Sequence, residues 1–201
     1  MLSKRGREQL LNWLTMLAAL LMFFPILWMV LTSFKTEQTA FAFPPKFFFA
    51  PTLENWQVAL IETDYLGFLA NTLIITGLST ILALLLGIPA AYAMAFYPTK
   101  RTDGSMMWVM STRMMPPVGV IVPLYVLFQW LNLLDTYLGM IIIYTAMNVP
   151  LVIWMLRSFM VDIPFEIIEA ARMDGVTLWQ EITAMILPLI VPGLAATALL
   201  C

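Results

Sequence analysis

Long apolar runs separated by short polar stretches dominate this chain. Uncharged segments at 9–34, 66–99, 114–134 and 136–156 are each long enough to cross a bilayer as a helix, which takes about 20 residues. A fifth begins at Ile182 and meets the last residue, Cys201. The pattern predicts an all-α, polytopic transmembrane helical bundle, five spans begun and the last one incomplete. Aromatic residues stand where interfacial belts are expected: Tyr97 and Trp108 flank one connection, and Trp130 and Tyr137 flank the next. Residues 34–65 carry Pro44-Pro45, Pro51 and the polar stretch Glu54-Asn55-Trp56. The proline pair excludes a helix through the middle of this segment, leaving an ordered loop with one short interfacial helix. The expected division is an N-terminal part, 1–65 (cytoplasmic tail, first span and external loop), and a main transmembrane domain, 66–201. Within the second lies a cytoplasmic elbow at 162–184.

Composition supports the membrane assignment. Apolar residues make up 62% and charged residues 11%, against about 45–50% and about 25% in a soluble domain. The net charge of −2 gives no reason to expect nucleic-acid binding, and without histidine there is no imidazole metal site or general base. The single cysteine, Cys201, excludes an intrachain disulfide. The basic N-terminus (Lys4, Arg5, Arg7) leads into the first apolar run with no small-residue cleavage site, as in an uncleaved signal anchor. With that end inside, Lys100, Arg101, Arg157 and Arg172 are also cytoplasmic, and only Lys35 and Lys46 lie outside. This is the asymmetry of the positive-inside rule.

The cytoplasmic stretch from Asp162 to Glu181 then holds a short amphipathic device. Asp162 is expected to cap a helix with Pro164 in its first turn. Gly175 ends that helix in the left-handed conformation, and Thr177 with Gln180 in the capping-box position opens a second helix. The product is two helices at a sharp elbow. Ala170 and Ala171 leave a flat face for close approach by another protein. Ile167, Ile168 and Met173 offer apolar contact, while Glu166, Glu169, Arg172 and Asp174 form a charged rim. The alternative is a helix lying on lipid headgroups. Such helices are usually rich in Lys and Arg, whereas here acidic residues outnumber the one arginine.

At these residues the chain resembles the inner-membrane permease subunits of binding-protein-dependent ABC importers. Glu169-Ala170-Ala171, then Gly175, then Leu187-Pro188 match that family's cytoplasmic signature, with Met185 where the family has isoleucine. Asp135-Thr136-Tyr137 after Pro123-Leu124-Tyr125, Ile163-Pro164 and Asn71-Thr72-Leu73 resemble its carbohydrate branch, the maltose-type permease subunits. The resemblance implies a type I importer permease fold in a bacterial inner membrane. It also implies that Glu169, Ala170, Ala171, Asp174, Gly175, Leu187 and Pro188 couple to a cytosolic ABC ATPase subunit. The remaining partners it implies are a second permease subunit, in a hetero-pair, and a periplasmic or lipid-anchored solute-binding protein. The solute would be a sugar or polyol, no cofactor is implied, and the subunit would perform no bond chemistry. Members of this branch have six spans, so the chain reads as C-terminally truncated, with a non-transporting membrane fragment as the alternative.

Polar groups within the spans are few. Arg113 lies about 10 Å along a helix beginning near Met106, within snorkelling reach of the interface, and is a possible pathway residue. Met114-Met115-Pro116-Pro117 should kink that span. Asn148, before Val149-Pro150, is the other pathway candidate; its structural alternative, shared by Asn71, Gln129 and Asn132, is an inter-helix hydrogen bond. Gly77, Gly87 and Ala90-Ala91 suit close helix contact. An ion-coupled carrier would want a carboxylate within a span, and all 12 fall outside the spans or at their ends.

Overall fold

A computed structural model describes residues 4–201. Among the described residues three helices are long and apolar enough to cross a membrane, α1 (Lys4–Ser33), α4 (Tyr65–Phe96) and α7 (Tyr137–Val161), and two bent helix pairs raise the possible number to five. The chain separates into two compact units, 1–69 and 70–201.

In the first unit the loop after α1 is organised by an unexpected group. Lys35 is 1% exposed, its Nζ donating to the carbonyl of Lys46 at 2.8 Å and lying 3.9 Å from the Trp28 ring centroid and 5.0 Å from that of Phe49. Aromatic faces and a carbonyl oxygen partly replace the water this ammonium has lost. The Asn55 amide donates to the carbonyls of Ser33 and Lys35 at 3.2 and 2.7 Å, satisfying acceptors that the end of α1 leaves open. The loop carries two short helices, α2 (Glu37–Ala40) and α3 (Glu54–Gln57), the latter continuing as a π-helical turn to Glu62. No helix runs through the prolines between them.

The second unit is built on α4 and α7. Ser79, Ala83, Gly87 and Ala91 recur every four residues on α4, and all are buried. Such a stripe of small residues lets two backbones approach closely in a membrane, where van der Waals contact rather than water exclusion drives association. Pairs across the two helices are Asn71 with Tyr137, Ser79 with Thr145, Gly87 with Val152, and Met94 with Arg157. The sequence offset stays between 63 and 66 along this series, so α4 and α7 run parallel. Parallel neighbours require the intervening chain to return across the bilayer. Gly77, expected in a helix contact, has open space around it, so the close approach belongs to the stripe starting at Ser79.

That return differs from the expected single kinked span. α5 (Thr102–Arg113) and α6 (Pro117–Trp130) meet at 84°. Pro116 bars Met115 from helical geometry, and Pro117 takes the first position of a new helix, where its missing N–H costs nothing. The 14 residues of α6 rise about 21 Å at ~1.5 Å each, short of the ~30 Å hydrocarbon. Thr136 then caps α7, its hydroxyl accepting from the Gly139 N–H at 3.1 Å. At the far end of the unit α11 (Val191–Leu200) runs antiparallel to α7: Gly193 lies against Phe159, and Asn148 reaches the carbonyl of Cys201.

A Cβ added at Gly87 would stand 2.4 Å from Val152 Cγ1. Gly87→Ala should therefore cost about 1–3 kcal/mol by overpacking, read as a lowered unfolding temperature in detergent. Adding Val152→Ala should recover most of the loss; a Gly87→Ala variant as stable as the parent would contradict the tight α4–α7 contact.

Candidate coupling elbow

α7 ends at Val161 with Asp162 at its C-cap, so Asp162 does not cap the next helix, the role its sequence position suggested. Pro164, with an extended ψ of 128°, stands at the N-cap itself, outside the first turn, and offers no side-chain cap. The reason is steric: a proline bars helical geometry to the residue before it, so Ile163 ends any continuation of α7 and the new helix starts after the ring. α8 (Phe165–Met173) then runs to Gly175, whose φ of +79° closes it. Val176 N–H bonds the Ala171 carbonyl and Gly175 N–H the Arg172 carbonyl, the paired bonds of a Schellman end. Thr177 and Gln180 form the expected capping box, opening α9 (Leu178–Gln180). This helix continues through a π-helical segment, Glu181–Ile186, and α10 (Leu187–Leu189), then breaks at Ile190 and turns by 80° into α11. Pro188 and Pro192 each remove a backbone donor there, which accounts for the loosened ladder and the break.

The faces of α8 sort differently from the expectation. Ile168 is fully buried and Ala171 is 7% exposed, both packed inward. The flat alanine pair is thus split: only Ala170 is open. The exposed stripe is Glu166, Glu169, Ala170 and Met173, spaced as one face of a helix, with Asp174 beyond it. Ile167 is half exposed and lines a cleft of about 310 Å³ with Leu189, Ile190 and Pro192. Of the signature residues further on, Leu187 packs against the core and Pro188 is exposed at the break.

Arg172 is not a rim charge. Its guanidinium grips Glu181 in a two-pronged ion pair, Nε to Oε2 at 2.9 Å and Nη2 to Oε1 at 3.0 Å. Tyr92, on α4, donates its hydroxyl to Glu181 Oε1 at 2.6 Å and accepts from Arg172 Nη2 at 3.2 Å. The guanidinium also lies 4.9 Å from the Tyr97 ring centroid. Charge-assisted bonds to Glu181 push the Arg172 pKa further above its already high range, so the cation persists at any accessible pH. The Glu181 side chain is 2% exposed. Sequence reasoning missed Tyr92 and Glu181. The available signal was a lone acid at the mouth of an apolar run, with the only nearby arginine nine residues before it. No spacing rule joins positions 92, 172 and 181, because the elbow must fold before they meet.

The pathway candidates are separate from this site. Asn148, 9% exposed, donates its amide to the Cys201 carbonyl at 3.1 Å, the inter-helix bond that was its structural alternative. Arg113 is exposed at the C-terminal end of α5, where a cation complements the helix dipole. Arg157 donates to the Met94 carbonyl at 3.3 Å, covering an open acceptor at the end of α4.

Comparison with known proteins bears on this arrangement. Residues 83–201 match the family model described as binding-protein-dependent transport system inner membrane component. A probable ABC transporter permease protein, y4oR, of Sinorhizobium fredii is 35% identical over 98% of this chain and 70% of its own length. The trehalose/maltose transport system permease protein MalG of Thermococcus litoralis is 31% identical over 92% of this chain and 66% of its own. The chain thus spans about two thirds of the length of the curated relatives it matches. In fold, the chain resembles a crystal structure of a bacterial ABC transporter involved in the import of the acidic polysaccharide alginate. The TM-score is 0.73 at 24% identity, covering all of this chain and 71% of the other.

Removing Arg172 leaves the buried Glu181 carboxylate without compensation, which costs about 3–5 kcal/mol, whereas apolar replacement of both partners is often neutral. Arg172→Met should accordingly destabilise the detergent-solubilised chain far more than Arg172→Met/Glu181→Leu. Equal losses of stability in the two variants would contradict the pairing.

Proposed function

The chain belongs to the family of binding-protein-dependent transport system inner membrane components, multi-pass proteins of the inner membrane, and from that premise we propose that it is the permease subunit of an ABC importer moving a sugar or polyol. ATP would be hydrolysed on a separate cytosolic subunit seated on the elbow. A second, non-identical permease subunit would complete the translocation path, and a periplasmic or lipid-anchored binding protein would deliver the solute. The N-terminus of α1 is cytoplasmic in this arrangement, in keeping with the distribution of basic residues. The trehalose/maltose relative supports a carbohydrate as solute.

The observation that carries the proposal is the exposed stripe Glu166, Glu169, Ala170 and Met173 on a helix closed by Gly175. α8 directly follows α7, and the parallel packing of α4 with α7 puts the ends of both helices on the elbow's side of the bilayer. The stripe has a small centre for close approach, an apolar end at Met173 and carboxylates beside both, so it suits a groove with basic residues at its margin. Transport then needs no chemistry in this subunit. Rigid-body movement of the docked ATPases displaces the elbows and tilts the attached helices between inward- and outward-facing arrangements.

Co-purification with the cognate ATPase from membranes tests the proposal. Gly175→Pro, which cannot adopt the left-handed φ, should abolish capture, and Glu169→Lys should reduce it about tenfold or more by setting like charges together. Gly175→Asn, which tolerates that conformation, should bind as the parent does. ATPase capture by Gly175→Pro and Glu169→Lys at the parental level would rule out this face as the docking surface.

A further inference from the structure

Three side chains on three different elements converge behind the exposed stripe of α8: Tyr92 near the end of α4, Arg172 in the last turn of α8, and Glu181 at the start of the π-helical segment. Both Glu181 oxygens are engaged, Oε2 by Arg172 and Oε1 by Arg172 and Tyr92 together. With the Glu181 side chain 2% and the Arg172 side chain 31% exposed, the pair is a poor source of net stability, because desolvation of the carboxylate offsets much of the Coulomb attraction. It supplies geometry instead. A planar guanidinium held by two parallel bonds fixes distance and orientation together, and the tyrosine hydroxyl extends that restraint to a membrane-spanning helix.

Apolar contact alone would hold the same elements differently. Ile168, Ile186, Met160 and Phe96 form the surrounding core, and hydrophobic attraction is non-directional. Under load, α8 could roll or slide on such a surface. The triad opposes that movement because its bonds weaken steeply with angle. The stripe at Glu166, Glu169, Ala170 and Met173 stays open on the other side, so a partner can hold the front of α8 while the triad holds its back.

We propose that Tyr92, Arg172 and Glu181 form a latch that makes α8, the start of the following helix and the adjoining end of α4 one rigid body. Displacement of the elbow is then delivered to α4 instead of being absorbed by the turns around Ile163 and Gly175. The inference rests on the reading of the elbow as the ATPase seat. The three are positioning residues, acting through the helices they join.

The test uses the chain in lipid nanodiscs, alone and assembled with its ATPase, partner permease and binding protein, with spin labels at Ala93 and Ile167, which lie off the exposed stripe. In the parent the 93–167 distance should be a single narrow distribution that ATP binding leaves unchanged. In Arg172→Met/Glu181→Leu, which removes both charges together, it should broaden and shift with ATP. ATPase should still co-purify with that variant, while solute moved per ATP falls about three- to tenfold. Should this variant not assemble, Tyr92→Phe carries the same expectation, since it keeps the ion pair and frees α4 from it. A narrow, parent-like distance with parental solute movement per ATP in the variants would overturn the latch, leaving apolar packing as the joint. A parental distance that itself changes with ATP would overturn it as well. Failure of the parent to capture ATPase would sink the docking reading alone, because the distance in the chain by itself still decides whether the triad holds these helices together.

Discussion

Parallel packing of α4 on α7 is the constraint on which the second unit depends. Two membrane helices gain little from hydrophobic burial against each other, since lipid tails are as apolar as their side chains. Close backbone approach has to supply the attraction, and the stripe Ser79, Ala83, Gly87, Ala91 provides it, most tightly where Gly87 meets Val152. Because the two helices run in the same direction, their ends reach the same side of the bilayer. That places Tyr92, Arg157 and the start of the elbow within reach of one another. The hydrogen bonds along the seam, from Asn71 with Tyr137 to Arg157 with the Met94 carbonyl, follow from this register.

Prolines set where the chain turns. At 116–117 and again at 188 and 192 they remove backbone donors, and Pro116 also bars Met115 from helical geometry, so an apolar run becomes two helices at a steep angle. At 164 a proline separates α8 from α7. Each break falls beside the elbow or in the segment that returns across the bilayer between α4 and α7. Straight helices there would carry the chain past the elbow without forming it.

The Arg172–Glu181 pair, buried at its carboxylate, illustrates how energy and geometry separate. Its desolvation cost nearly offsets its attraction, so net stability does not explain its presence. Joining three elements at fixed angles does. Lys35 in the first unit shows the same logic with different partners: aromatic faces and a carbonyl receive a cation that holds together a loop otherwise broken by prolines.

The sequence by itself determined the class, most of the spans, and the turn between α8 and α9 with the Gly175 stop and Thr177 start on its two sides. These follow from local physics: an apolar run must be helical to satisfy its backbone in lipid, Gly175 admits a positive φ, and Thr177 with Gln180 closes a box within four residues. The bend between α5 and α6 was half legible, since Pro116-Pro117 announced a kink but not its 84°. Which residues of α8 face inward was not legible. Ile168, Ala171 and Arg172 look outward-capable on a helical wheel, and only the position of α4 and of the π-helical segment buries the first two and draws Arg172 to Glu181. Tertiary structure alone decided that Arg172 serves Glu181 and Tyr92, because interactions between residues far apart in sequence exist only once the helices carrying them have packed.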